Sequence, residues 1–412
     1  MDGAARAVIR AYLHGKRKAE ARFLAALVRA PSDNPPGDCR AHAERAAGLL
    51  RRLGFRVERH SVPGAAARAH GMVSATNLIV RERFGPGPVV ALNAHGDVVP
   101  PGGGWTVDPY GAEVRRGWMY GRGVAVSKSD FATYAFALLA LKDSGARLRG
   151  TVELHFTYDE EAGGEIGPKW LLDRGLTKPD YAIAAGFSYG IVTAHNGCLH
   201  LEVEVLGKSA HAARPETGRD ALEAANAIMA ALYRLRRGYA KRRSKTPGIA
   251  HPTLVIGLIG GGINTNVVPD RVTFRLDRRM IPEEKPAAVE REVAGAIKRA
   301  ARGMRGIRCT VRRILLAEPL KPVGDQARLV AAVRAAAQEV MGERIRAHGV
   351  PLYTDARHYS AAGIPTIVYG AGPRTLLEAN AHRADERLRL DDLYKATEVV
   401  ALALLDLLGA KT

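Results

Sequence analysis

Residues 88–100 read PVVALNAHGDVVP. Pro88 to Ala94 is a short apolar run of strand length, and it stops on His95-Gly96-Asp97. Residues 151–161, TVELHFTYDEE, repeat the design. A β-rich alternation runs from Thr151 to Tyr158 and stops on Asp159-Glu160-Glu161. Between the two lies Asp130 to Lys142, a strongly apolar stretch with helical spacing. Strand, helix and strand in this order predict an α/β chain with a mostly parallel, helix-flanked sheet. In such open sheets ligands bind beyond the carboxyl ends of the strands. The polar residues at both strand ends therefore stand where chemistry is expected.

Upstream, residues 5–30 have amphipathic helical spacing, broken by Pro31-Ser32-Asp33-Asn34-Pro35-Pro36-Gly37. A second helix is expected from Cys39 to Leu53, stopped by Gly54. Downstream of Cys198 the texture changes. Strands are expected at 199–206, 254–259, 272–277 and 307–316, with helices at 220–237 and 286–302. That β-α-β-β-α-β order is ferredoxin-like and reads as a smaller α+β domain inserted into the first. From Lys321 the chain returns to helix, to a strand at 365–369 and to helix, completing the large sheet. The expected division is a discontinuous catalytic domain, 1–197 and 317–412, and a lid or dimerisation domain, 198–316.

Composition narrows the class. A chain of 412 residues suits two or three domains. Its 47% hydrophobic and 25% charged content excludes a mostly disordered chain. The glycines follow no G-X-Y period, which excludes collagen. The net charge of +19 favours nucleic acid, anionic surfaces or acidic substrates as contacts. Seven of the twelve residues 234–245, RLRRGYAKRRSK, are basic. With one interleaved aromatic, Tyr239, and no nucleic-acid motif, the stretch reads as a solvated helix end with cations at its C-terminus, so nucleic acid is not the expected partner. Cys39, Cys198 and Cys309 are too few for a disulfide framework or a Cys-rich zinc site, and are expected as reduced thiols. The first residues lack the basic-then-apolar order of a signal peptide. No apolar run reaches the ~18 residues of a membrane span; the longest, Val399 to Leu408, contains Asp406. A cytoplasmic protein without a membrane partner is expected.

The strand ends carry the chemistry. A histidine with a carboxylate two residues on suits a metal ligand and the group that orients it. Adjacent glutamates point different ways, so one can bind a metal while the other moves a proton. Taken singly, each pattern is more often a polar turn or surface pair. Their order and context make the difference. The chain resembles the di-zinc aminoacylase, acetylornithine deacetylase, succinyl-diaminopimelate desuccinylase and glutamate carboxypeptidase family over nearly its whole length. The matching stretches are HGDVVP (95–100), WTVDPY (105–110), GRG (121–123), YDEEAGGEIG (158–167), GKSAHAARPETGRDAL (207–222), GGINTNVVPDRVTFRLDRRMIP (261–282), AAGIPTIVYGAGP (361–373) and ANAHRADERL (379–388).

The resemblance implies that His95 is a metal ligand with Asp97 as its orienter. It implies that Glu160 is the general base, and that Glu161 and His382 are ligands of a second metal. His211 would reach across a dimer to polarise the substrate carbonyl or steady the oxyanion. Asn266 and Arg279 would hold a substrate carboxylate, Arg279 by a fork, and Gly370 would line the substrate site. From the residues alone, His211 reads as a strand-to-helix turn residue and Arg279 as a partner of Asp277. Two positions depart from the family. Where it places a metal-bridging aspartate after GRG, this chain has Val126. Where it places a further acidic ligand, this chain reads Ala184-Ala185-Gly186-Phe187-Ser188.

Three expectations follow. One zinc ion collects His95, Glu161 and His382, a two-His, one-Glu set with an open position. Alternatively, Asp130 replaces the lost aspartate from one turn further along a helix, about 6 Å away on the same face; by itself Asp130 equally suits an N-cap of a helix starting at Phe131. In the third, the metal is lost and the chain is a ligand-binding or assembly protein. The Asp159-Glu160-Glu161 cluster beside a histidine favours retained chemistry, because buried unpaired carboxylates are costly. The expected activity is metal-dependent hydrolysis of an amide bond in a small N-acyl amino acid or short peptide with a free carboxylate, in a homodimer.

Overall fold

The computed structural model describes residues 3–409. Residues 1–2 and 410–412, at the outer ends of the expected catalytic domain, lie outside the described residues. The elements begin with α1 (Gly3–Val28), α2 (Arg40–Arg52), β1 (Val57–Ser61), α3 (Gly64–Ala69), β2 (Thr76–Arg83), β3 (Val89–His95), β4 (Glu113–Arg115), β5 (Trp118–Tyr120), α4 (Lys128–Asp143), β6 (Thr151–Thr157), α5 (Pro168–Asp173), β7 (Tyr181–Ala184) and β8 (Gly190–His195). Then come β9 (Gly197–Leu206), α6 (Ala221–Gly238), β10 (Thr253–Gly261), β11 (Arg271–Met280), α7 (Pro286–Ala301) and β12 (Arg308–Ala317). The chain closes with α8 (Gln326–Met341), β13 (Arg346–Val350), α9 (Ala356–Ala361), β14 (Thr366–Val368), β15 (Arg387–Arg389) and α10 (Leu390–Leu408). They fall into two compact units, 3–193 with 322–348 and 354–409, and 194–321 with 349–353.

An eight-stranded sheet runs β1-β2-β6-β3-β7-β14-β8-β13. Its middle, β6-β3-β7-β14, is parallel. Antiparallel pairs flank it, β1-β2 and β2-β6 on one side and β14-β8 on the other. From Val90 to His95 every residue of β3 is buried. A central parallel strand is covered on both faces and therefore shows a near-continuous apolar run instead of alternation; the interruption, Asn93, donates to the His155 carbonyl at 3.1 Å and to Thr157 Oγ1 at 3.2 Å. Helix α4 is buried almost all round. Phe131 on α4 stacks on Phe156 of β6 at 3.8 Å between centroids and meets the edge of Tyr158 at 6.2 Å. This aromatic cluster seats the helix behind the two strand ends that carry the polar motifs.

The second unit holds an antiparallel sheet in the order β10-β11-β9-β12, with α6 and α7 as its helices. Its element order is the expected β-α-β-β-α-β. Leu199, Leu201, Val203 and Val205 of β9 pack with Val272, Phe274 and Leu276 of β11 and with Ile228, Leu232, Val293 and Ile297 of the helices. The period-2 and period-3.6 spacings of these residues supply the two apolar faces. Asp220 caps α6, its carboxylate accepting from the N–H groups of Leu222 (2.8 Å) and Glu223 (3.0 Å). The basic stretch 234–245 is the end of α6 and the loop beyond it, and Arg242 spends its charge on Glu292 and Glu284.

In the first unit Glu20 of α1 is 1% exposed, and Thr397 of α10 donates to its carboxylate. Burial raises this carboxyl from 4.5 to about 8, against the opposing pull of Thr397 and Arg17. Between those values the folded chain keeps a proton that the unfolded chain has released. Stability therefore falls as pH rises through that window. Glu20→Gln removes the titration. The variant is expected to gain in melting temperature over the wild type as pH goes from about 5 to about 8, and a pH-independent difference would refute this reading.

Candidate metal centre and active site

The site grows from the ends of β3 and β6. Beyond β3 the chain turns through Gly96 to Asp97, which is fully buried. Its carboxylate reaches across to the segment after β6. Oδ1 accepts the N–H groups of Asp159 (3.0 Å) and Glu160 (3.2 Å), and Oδ2 accepts those of Glu161 (3.1 Å) and the Asn34 amide (2.9 Å). Burial pushes Asp97 up, but His95, Asn34 and the Glu161 N–H outweigh it and hold the carboxyl below its usual range. One carboxylate thus fixes three successive backbone N–H groups and the 3₁₀ turn that presents Glu160 and Glu161.

His95 Nδ1 lies 2.9 Å from the Asp97 backbone carbonyl. A carbonyl only accepts, so Nδ1 carries the proton and Nε2 faces the carboxylates as a potential ligand. Asp97 orients His95 chiefly through this backbone oxygen; its side chain, at 3.5 Å from Nδ1, serves the glutamate turn. His95 Nε2 stands 4.0 Å from Glu160 Oε2, and His382 Nε2 stands 3.2 Å from Glu161 Oε1. Donor atoms of His95, Glu160 and Glu161 all lie within 4.8 Å of one another. His382 sits in the left-handed region at φ 60°, a conformation costly for a side chain with a Cβ, which persists where surroundings enforce it.

The electrostatics match a cation site. Burial lifts Glu160 above the usual carboxylate range, with the charges of Glu161 and Asp97 adding and that of His95 opposing. Burial lowers His95, but Glu160, Asp97 and Glu161 overcome it and raise the imidazole well above its ordinary value. The hydrogen bond to Glu161 raises His382. Both oxygens of Asp355 and Oδ1 of Asp159 are buried without hydrogen bonds. Asp355, raised by burial and by Glu160, was not anticipated from sequence. Its only signal is a polar TDARH run (354–358) ahead of an apolar strand. Clustered carboxylates facing two imidazoles, several unneutralised, fit a divalent ion.

Val126 is half-buried and packs against the core. The loop around it is held by Glu386, which accepts the N–H groups of Ala125 (3.0 Å) and Val126 (3.2 Å) and pairs with Arg122 at 2.6 Å, the ion pair being fully buried. Asp130 does not cap a helix from Phe131. Helix α4 starts at Lys128, because the chain is already helical there, and Asp130 is its third residue. Its Oδ1 accepts the Ala371 N–H at 2.7 Å, the Gly186 N–H faces the same carboxylate, and Oδ2 ends without a hydrogen bond. Burial raises this carboxyl well above its ordinary value. Gly370 is the close neighbour: a Cβ there would fall 2.0 Å from Asp130 Oδ1.

In the second unit His211 and Asn266 are exposed on adjoining loops. His211 bridges Val267, and the Ala212 N–H donates to the Asn266 carbonyl at 2.9 Å. Arg279 donates through Nε to Asp277 Oδ1 at 2.9 Å.

The model of peptidase family M20/M25/M40 matches residues 91–406. The chain belongs to this family. It is 28% identical to the succinyl-diaminopimelate desuccinylase of Gluconacetobacter diazotrophicus over 394 residues, 93% of this chain and 95% of that protein. It is 27% identical to the acetylornithine deacetylase of Myxococcus xanthus over 369 residues, 88% of this chain and 90% of that one. Among solved structures it shares its fold with an M20 family metallo-carboxypeptidase of Sulfolobus solfataricus, at TM-score 0.74 and 19% identity, covering 94% of this chain and 99% of that one. A dinuclear metal-binding M20 peptidase of Bacillus subtilis also shares the fold, at TM-score 0.67 and 17% identity, covering 95% and 98%.

The Asp97 network is testable apart from catalysis. Asp97→Asn leaves too few acceptors for three backbone N–H groups and the Asn34 amide. Metal affinity, read by calorimetric titration, is expected to fall about 10–100-fold with a lower melting temperature. An unchanged affinity would show that the glutamate turn is held by something else.

Proposed function

We propose that this M20 family member hydrolyses the amide bond of a small N-acyl amino acid or short peptide bearing a free carboxylate, with one zinc ion held by His95, Glu161 and His382. The observation that carries this reading is the convergence of His95, Glu160 and Glu161 donors within 4.8 Å, with His382 3.2 Å from Glu161 and an apolar Val126 at the family's bridging position. The relatives' names, a desuccinylase and a deacetylase, support an N-acyl substrate. A zinc ion in this ligand set supplies Lewis acidity to the carbonyl and acidity to water.

The residues do the rest. Glu160 takes the proton of the attacking water and returns it to the leaving amine. Its raised proton affinity suits a group that must both accept and donate. Asp97 holds the turn from which Glu160 acts. His211 reaches across the dimer to polarise the substrate carbonyl or steady the oxyanion, and Asn266 with Arg279 holds its carboxylate; their support is the adjoining placement of His211 and Asn266 and the family likeness. Asp130 braces the segments at Gly186 and Ala371, and Gly370 gives it room while lining the substrate side. The division into a catalytic domain and a lid, 198–316, belongs to this proposal, as does a cytoplasmic setting for three thiols outside any disulfide.

The test joins metal counting to kinetics. This centre is expected to hold one zinc, read as a loss of close to one zinc per chain in His382→Ala relative to wild type when both are purified without chelator. Glu160→Gln is expected to keep the ion and lose roughly 10²–10⁴-fold in kcat against N-acyl amino acids. Wild-type kcat/KM should fall as pH drops through the Glu160 pKa, because the protonated base cannot accept. A loss of two ions in His382→Ala would bring Asp130 in as a ligand. No ion after zinc addition would overturn the hydrolase reading in favour of a ligand-binding protein.

The expected homodimer has a surface to form on. Strand β10 is an edge of its sheet and exposes Val255, Leu258 and Ile259, with Ile263 just beyond. Unpaired edges with apolar side chains favour pairing with another chain. Sedimentation should show a dimer that Leu258→Lys weakens; a wild-type monomer at high concentration would exclude it.

A further inference from the structure

We propose a second metal site in the inserted unit, formed by Cys198 Sγ, His200 Nε2 and Asp277 Oδ2 and suited to zinc or a similar thiolate-accepting divalent ion. It uses none of the residues of the His95–Glu161–His382 centre, and its existence does not rest on the proposed hydrolase function.

The site follows from strand register. Cys198 and His200 are two residues apart on β9, so their side chains share one face. On the neighbouring β11, Asp277 stands directly opposite His200 and Arg279 directly opposite Cys198. Leu199, Leu201 and Leu276 take the other face into the core. Four polar side chains are thereby gathered on the side of the sheet away from its helices. Asp277 Oδ2 is the meeting point, 2.8 Å from His200 Nε2 and 3.7 Å from Cys198 Sγ. Donor atoms of the three residues lie within 4.8 Å of one another. Zinc bonds of about 2.3 Å to sulfur and about 2.0 Å to nitrogen or oxygen place donors roughly 3.3–3.5 Å apart in a tetrahedron. Small side-chain rotations bring this triad to that spacing.

The donor chemistry is selective. A thiolate, an imidazole and one carboxylate oxygen favour zinc-like ions over magnesium or calcium, which take oxygen. Arg279 donates to Asp277 Oδ1 at 2.9 Å, bracing the carboxylate and leaving Oδ2 as the donor. Cys198 is wholly buried, whereas the His200 and Asp277 side chains are 33% and 31% exposed. The first gives a dry sulfur ligand and the other two an entry path. Because Arg279 leans on Asp277, an ion here also fixes the Arg279 guanidinium. That consequence for substrate binding does rest on the proposed role of Arg279.

The experiment titrates metal-free full-length chain with Co²⁺ and reads the near-ultraviolet thiolate-to-cobalt charge-transfer absorption. The band is expected in the wild type and in a Glu161→Gln/His382→Ala double variant, in which the hydrolase centre is disabled. It should vanish in Cys198→Ser and persist in Cys309→Ser. His200→Gln, at a partly exposed position that folding tolerates better, should weaken Co²⁺ binding at this band at least tenfold. A wild type without the band, a band that survives Cys198→Ser, or an unchanged affinity in His200→Gln would overturn the proposal. A wild type that binds one ion without the band would uphold the hydrolase centre and refute this site. A band in the double variant, whose hydrolase centre no longer binds, would uphold this site alone.

Discussion

The carboxylate of Asp97 is the constraint on which the site depends. It is fully buried and accepts the N–H groups of Asp159, Glu160 and Glu161 and the amide of Asn34. A buried carboxylate with four donors is well satisfied, and each hydrogen bond to a charged group contributes roughly 1.5–3 kcal/mol. The bonds join the ends of two adjacent parallel strands, β3 and β6. Asp97 also carries the backbone oxygen that sets the His95 ring. A histidine from one strand end and two glutamates from another are thereby placed against each other by a single residue between them.

A second layer of buried charge keeps the surrounding loops in place. Glu386 and Arg122 pair in full burial, and Glu386 also accepts two backbone N–H groups beside Val126. The loop shape at 121–127 is therefore set by backbone hydrogen bonds rather than by the side chain at 126. An apolar residue at 126 therefore leaves the loop intact. Asp130 works in a similar way for the segments at Gly186 and Ala371, where its bulk is accepted only because residue 370 has no side chain. Asp130 lies on the first turn of α4, where burial holds its carboxyl well above its ordinary value.

On the inserted unit many basic side chains are paired with acids on the exposed face of the sheet. Glu202 meets Arg275 and Arg312, Glu204 meets Arg271, and Asp277 meets Arg279 and His200. The same alternation that buries one face of β9 and β11 sets these charges on the other. Exposed pairs of this kind add little stability.

Much of this was legible in the sequence because it depends on local periodicity. The largely apolar run of β3, the alternation of β9 and β11, the spacing of α6 and α7 and the polar residues at strand ends are patterns within a few neighbouring residues. The strands β1, β2, β7, β8 and β13 are short or carry mixed patterns, and their assignment came from pairing with distant partners. The start of α4 at Lys128 and the contacts of Asp130 with Gly186 and Ala371 were decided in the same way. So were the acceptance by Asp97 of three backbone N–H groups, the orphaned oxygens of Asp355, and the meeting of Cys198 with Asp277. A backbone N–H has no signature in residue type, and a side chain's partner across tens or hundreds of residues is chosen only when the strands are in register. The sequence by itself determined the strongly periodic elements and the polar residues that follow β3 and β6; the tertiary structure alone decided the weakly patterned strands and which of those polar residues share an atom-scale site, because that depends on distances that only packing creates.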